Sequence, residues 1–233
     1  MTIDELRTRV WEENLRLPAE GLVALTWGNV SARSDDGDLV AIKPSGVAYP
    51  DMKPDDIVVL DLDGNVVAGE MRPSTDTPSH LALYRAFDGV GGIVHVHSVH
   101  ATAFAQARRP IPCLGTTHAD HFAGPVPVTR PLTADEVAED YEANTGTVVI
   151  DHFRAEGLDP MHVPGVLLAG HGPFVWGKNA TKAVDNAVAI EQIARMAILS
   201  GTIAGGEAPD LEPWVLDPHF QRKHGPAAYY GQG

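Results

Sequence analysis

"GGIVHVHSVHATAFA", residues 91–105, decides the fold, because an alternating apolar run passes into a helical pattern inside it. In a strand, successive side chains face opposite ways, so "GGIVHVH" puts His95 and His97 on one face and Val96 on the other, buried face. "SVHATAFAQA" then reads as a helix with Ser98 as its cap. His95 and His97 stand on the order of 7 Å apart along such a strand, so both imidazoles can reach one metal ion. His100 lies beyond Ser98, inside the helix, and leaves that face.

The flanking sequence continues in the same way. "MTIDELRTRVWEENLRLP" predicts a first helix: Thr2 and Glu5 form a capping box, Ile3, Leu6, Val10 and Leu17 give an apolar stripe, and Pro18 closes it. Short strands are expected at "DLVAIK", "DIVVLDL" and "NVVAG", joined by turns such as Asp63-Gly64. "TPSHLALYRAF" reads as a helix with Thr77 as cap and Pro78 at its first position. "TADEVAEDYEANTGTVVIDHFRAEG" reads as helical with an interruption near Gly146. "GVLLAG" and "FVWG" read as a strand pair before the long helix "NATKAVDNAVAIEQIARMAILSG", which is expected to end at Gly201. Strands interleaved with helices predict a layered α/β domain, and strands only a turn apart predict much antiparallel pairing. No repeat, low-complexity linker or charge block marks a domain boundary.

The 233 residues are 44% hydrophobic, enough for one sizeable core. A net charge of −14, from 31 acidic against 17 basic residues, argues against nucleic acid or an anionic membrane as partner. An anionic substrate must then be held by a local pocket rather than drawn in by the overall field. The single cysteine, Cys113, rules out an internal disulfide and a cysteine-based zinc site and fits a reducing cytoplasm. Inside "RRPIPCLGTTH" it reads as a small core residue. The N-terminus lacks a basic region followed by an apolar block, and no stretch approaches about 18 apolar residues. A cytoplasmic chain, neither secreted nor membrane-spanning, is expected.

A catalytic zinc-like site needs a third nitrogen or oxygen ligand and an open position for substrate. His171, in "VLLAGHGPF", ends an apolar strand between glycines. His118 and His121, in "TTHADHF", lie in a polar turn beside Asp120. His152, His162, His219 and His224 have no apolar lead-in, and a solvated or capping role is their default. Asp76, just before the helix beginning at Thr77, could add a carboxylate.

Three further turns, "LTWGNVSAR", "IKPSGV" and "RPSTD", suggest phosphate. Gly28 and Gly46 let backbone N–H groups approach closely, Asn29, Ser45, Ser74 and Thr75 add neutral donors, and Lys43 adds a charge. Backbone donors and hydroxyls with one cation hold phosphate outside the P-loop motifs, and neither GxxxxGK[ST] nor GxGxxG is present.

"LTWGNVSA", "IKPSGV", "PSTDTPSH", "GGIVHVHSVHAT", "GTTHADHF", "GHGPFVWGKNA" and the ending "RKHGPAAYYGQG" together resemble the class II aldolase/epimerase (adducin-like) family, and within it the epimerase branch. The likeness runs from the first helix to the last residues. The tail and "THAD" are more specific than the metal motif, which the aldolases share. The resemblance implies one three-layer α/β/α domain over residues 1–233 around a mainly antiparallel sheet. It implies a homotetramer with active sites between neighbouring subunits, the tail from about residue 215 reaching the next subunit. One divalent cation per subunit, zinc or another, would be held by Asp76, His95, His97 and His171. Substrate contacts would fall on Gly28, Asn29, Lys43, Ser45, Gly46, Ser74 and Thr75, and the acid/base pair on Asp120 and Tyr230 with His219 as helper. Two departures are visible: Ser74-Thr75 stands where Ser-Ser is usual, and Val96 where threonine is common.

The implied activity is epimerisation at C4, interconverting L-ribulose 5-phosphate and D-xylulose 5-phosphate. C4 is not adjacent to the carbonyl, so its proton is not acidified and simple deprotonation cannot invert it. Breaking the C3–C4 bond leaves an enediolate that a divalent cation stabilises, and the aldehyde re-adds through its other face. Acid/base groups on opposite faces are therefore required. The alternative is a class II sugar-phosphate aldolase, or a decarboxylase of a related phosphate substrate, using the same metal and phosphate turns.

Overall fold

The expected capping box opens the first helix, α1 (Ile3–Ala19): Glu5 N donates to Thr2 Oγ1 while Thr2 N donates to the Glu5 carboxylate. The computed structural model describes residues 1–225 and 228–229. After α1 come β1 (Asn29–Arg33), β2 (Leu39–Ile42), β3 (Val58–Asp61), β4 (Val66–Ala68), α2 (Thr77–Ala86), β5 (Gly92–His95) and α3 (Val99–Ala107). The second half holds α4 (Thr116–Ala119), α5 (Ala134–Glu156), β6 (Gly165–Leu167), β7 (Pro173–Gly177), α6 (Ala180–Ala204) and α7 (Pro213–His224).

The strands form one seven-stranded sheet among the described residues, in the order β4-β3-β2-β1-β5-β7-β6. Every ladder in it is antiparallel. Helices cover both faces. On one side α1 and α6 pack together over β1, β5 and β7, with the Asn14 amide bridging to the Val30 backbone. On the other, Ser31 hydrogen-bonds with His80 and Tyr84 of α2, and Trp176 meets Phe87 and Phe153 beneath α2 and α5. Register then fixes the site. Ser31, Ile93 and Trp176 are cross-strand neighbours facing α2 and α5, and Asn29, His95 and Phe174 form the row two residues further along. A shift of two keeps the same face.

Several boundaries differ from expectation, each for a local reason. β5 stops at His95, two residues short of His97. Ser98 occupies the N-cap of α3 without making a capping bond. The Glu191 carboxylate of α6 caps instead, accepting from His100 N and Ala101 N at 3.0 Å each and pairing with His100 Nδ1 at 2.6 Å. Asp76, not Thr77, is the N-cap residue of α2. α5 breaks at Asp140 rather than near Gly146. α6 runs through Gly201 to Ala204 and ends where Gly205 turns left-handed, at φ +71°. β1 was expected as a turn, since Asn and Ser favour turns, yet its residues are central to the sheet. By length and composition alone α6 is apolar enough to cross a membrane, although Lys182, Asp185, Glu191 and Arg195 interrupt its apolar residues. It packs on β5, β7, α1 and α3, so much of its apolarity belongs to the core.

Candidate active site

Three imidazoles converge where β5 ends. His95 closes the strand, His97 follows two residues on, and His171 sits in the turn between β6 and β7. One ring nitrogen of each lies within 4.8 Å of the others. His95 Nε2 and His97 Nε2 are 3.2 Å apart. His95 Nδ1 lies 3.0 Å from the Pro173 carbonyl oxygen, which can only accept, so the proton sits on Nδ1 and Nε2 carries a lone pair. Phe174 stacks on the His95 ring with centroids 4.2 Å apart. A Cβ on Gly172 would stand 2.8 Å from the Val96 carbonyl and 3.1 Å from His97 Cδ2, so the chain after His171 has no room for a side chain.

Burial holds all three imidazoles below the usual histidine range, His171 at about 4. They are therefore neutral at pH 7 and offer lone pairs. Nitrogen lone pairs crowded this closely repel unless a proton or a cation lies among them. The donor set fits a divalent ion with an open coordination position.

Asp76 stands at the N-cap of α2 with helical backbone angles and makes no capping bond. Its carboxylate is committed elsewhere: Oδ2 accepts from Asn29 Nδ2 at 2.6 Å and from Ser74 Oγ at 3.4 Å. Burial opposes its charge, but His95, His80 and the Asn29 amide keep it below the ordinary carboxylate range. It lines the same cleft as the histidines, outside their tight triad.

That cleft, about 560 Å³, brings together every predicted substrate-binding residue. Gly28 (φ +78°) must be glycine, because a Cβ there would meet Val23 Cγ1 at 2.8 Å and the His95 carbonyl at 2.9 Å. Tyr49 Oη donates to the Trp27 and Gly28 carbonyls at 2.7 and 3.0 Å and pins the turn. Ser45 N donates to the Arg72 carbonyl and Ser74 N to the Lys43 carbonyl, tying the other two turns together. Lys43 is only 2% exposed, with Nζ 3.3 Å from the Pro44 carbonyl and 5.0 Å above the Tyr49 ring. Burial lowers its pKa. A desolvated cation backed by an aromatic ring, among hydroxyls and free backbone, is suited to an anionic group.

Residues 8–198 match the class II aldolase and adducin N-terminal domain. The chain belongs to the class II aldolase family. It is 53% identical over 230 residues to the L-ribulose-5-phosphate 4-epimerase UlaF of Salmonella paratyphi A, covering 99% of this chain and all of that protein. The same identity and coverage hold for the UlaF epimerase of Salmonella typhi. Among solved structures, an L-fuculose 1-phosphate aldolase superposes with a TM-score of 0.78 at 28% identity, over 94% of this chain and 95% of that one. The L-fuculose-1-phosphate aldolase of Thermus thermophilus gives 0.66 at 25% identity, over 88% and 98%.

Of the remaining predicted residues of this class II aldolase family member, Asp120 and His219 do not line the cleft. Asp120, at the end of α4, accepts from Arg222 Nε at 3.1 Å and from Arg222 Nη2 at 2.9 and 2.8 Å. His219 Nδ1 and Lys223 Nζ lie 3.3 and 3.6 Å from the same carboxylate. Burial opposes its charge, while these cations and His219 hold its pKa down. Tyr230 lies outside the described residues. His118 is buried and donates from Nε2 to the Gly124 carbonyl at 2.8 Å, which removes it from the metal candidates.

Three residues went unpredicted. Trp27 lies half-exposed with its ring 6.2 Å from His97, and an aromatic beside Gly28 was the available signal. Tyr49 and Tyr141 gave none, since each acts on a partner more than twenty residues away.

Proposed function

We propose that this chain interconverts L-ribulose 5-phosphate and D-xylulose 5-phosphate by opening and re-forming the C3–C4 bond. The observation that carries this reading is a single cleft in which three neutral histidines face the Lys43–Gly46 and Ser74–Thr75 turns. The 53% identity to curated epimerases favours it over an aldolase.

A divalent cation, which we take to be zinc, held by His95, His97 and His171 with Asp76 beside them, supplies Lewis-acid stabilisation of negative charge on the substrate oxygens. Asn29, Lys43, Ser45, Gly46, Ser74 and Thr75, with Gly28, hold the phosphate and sugar. Asp120 and Tyr230 serve as the acid/base pair on opposite faces of C4. One takes the C4 hydroxyl proton as C3–C4 opens, and the other returns a proton after the aldehyde turns and re-adds. His219 assists Asp120. We assign Tyr230 to the neighbouring subunit of a homotetramer, the whole chain forming one domain whose tail from about residue 215 crosses over. Exposed apolar side chains at Val99, Met196, Leu199, Ile203 and Trp214 support assembly. A cytoplasmic location is consistent with the lone, buried Cys113.

Incubating metal-loaded protein with L-ribulose 5-phosphate tests the reading. D-xylulose 5-phosphate is expected as product. Accumulation of dihydroxyacetone and glycolaldehyde phosphate without the epimer would make the chain an aldolase instead.

A further inference from the structure

We propose that Tyr141 is a positioning residue for the metal centre: its hydroxyl holds His171 through Nδ1 and so aims Nε2 at His95 and His97. This rests on the metal reading above. Tyr141 Oη lies 3.2 Å from His171 Nδ1, with ring centroids 6.1 Å apart. His171 lines two clefts, the metal cleft and an adjoining one of about 190 Å³, which Tyr141 lines but His95 and His97 do not. Tyr141 therefore reaches His171 from the side away from the triad.

His95 shows the same arrangement already worked out. Its Nδ1 proton is given to a fixed carbonyl, which leaves the Nε2 lone pair facing His97. Among the described residues, the His171 ring is hydrogen-bonded to no such carbonyl. It sits in a glycine-flanked turn, with Gly170 at φ +78° and Gly172 behind it, so its backbone neighbours contribute no side chain to orient the ring. The phenol oxygen of Tyr141 accepts the Nδ1 proton and selects the tautomer whose Nε2 is free for a metal. An outer partner of this kind fixes both the orientation and the basicity of a ligand histidine.

The fold shows how Tyr141 is brought there. α5 leaves helical geometry at Asp140 (φ −161°, ψ 96°), and Asp140 Oδ1 then caps the renewed helix at Ala143 N, 3.0 Å away. Tyr141 is the first residue of that renewed segment. The segment is pressed onto α2 at Gly146, where a Cβ would lie 2.9 Å from Ala82 Cβ and 3.1 Å from Ser79 Cα. Ser79 Oγ also donates to the Glu142 carbonyl. α2 carries Asp76 at its N-cap, so backbone packing sets Tyr141 relative to the same cleft that Asp76 lines.

Tyr141→Phe removes only the hydroxyl, at a position 38% exposed, where the fold does not depend on it. Zinc affinity measured by chelator competition should weaken roughly 10–100-fold. Nitrogen-15 spectra of the metal-free protein should show His171 as the Nδ1–H tautomer in the wild type and as a mixture in the variant. Wild-type zinc affinity together with an unchanged His171 tautomer in Tyr141→Phe overturns the proposal. Absence of zinc binding by the wild type would instead overturn the metal reading on which it rests.

Discussion

His95 Nε2 and His97 Nε2 face each other at 3.2 Å, with the His95 proton already committed to the Pro173 carbonyl on the far side of its ring. Two imidazoles held this way could supply two donors to one metal ion, and His171 adds a third nitrogen within 4.8 Å. His97→Asn shortens one donor without emptying the core, since His97 is only half-buried. Metal content after dialysis should fall well below one equivalent and turnover should be lost, with the circular dichroism spectrum unchanged. Full metal occupancy with normal turnover would remove His97 from the site.

Ser45 and Lys43 line the cleft from one turn, and we propose that the Ser45 hydroxyl donates to a phosphate oxygen there. A lost hydrogen bond to a charged group is worth roughly 1.5–3 kcal/mol. Ser45→Ala should therefore raise KM about tenfold to a hundredfold and leave kcat less affected. Steady-state kinetics with L-ribulose 5-phosphate and with unphosphorylated ribulose checks this. Equal activity on both would contradict a phosphate pocket here.

His118 gives the fold a defined acid sensitivity. Burial pushes its pKa from 6.5 to about 4 while Nε2 stays bonded to Gly124. Between those values the unfolded chain holds a proton that the folded chain does not, so stability rises with pH across this window. This contribution is complete above about 6.5 and lost as pH falls toward 4. Urea unfolding of His118→Gln should show a pH dependence shallower than wild type by about one proton between pH 4 and 6.5. Identical slopes would mean that His118 is already protonated in the native state.

The histidine pair was legible because a period of two assigns faces directly, and although β5 ends at His95 the two Nε2 atoms still meet at 3.2 Å. The three turns were legible as glycine and hydroxyl clusters, and they share one cleft with the histidines. β1 was not, because "NVSAR" carries turn-forming residues whose strand state depends on β2 and β5 on either side. The cap of α3 was not, because Glu191 lies 91 residues from His100. Tyr141 was hidden for the same reason, its role depending on a helix break at Asp140 that no local pattern announced.

Cleavage and re-formation of C3–C4 at a metal centre built on His95, His97 and His171 is tested most directly by turnover in D2O. L-ribulose 5-phosphate is incubated with protein stripped by chelator and with the same protein after zinc is restored. The predicted result is no reaction in the stripped sample, and in the restored sample D-xylulose 5-phosphate that retains protium at C4, because the C4–H bond is never broken. Deuterium at C4, or undiminished turnover without metal, would contradict it.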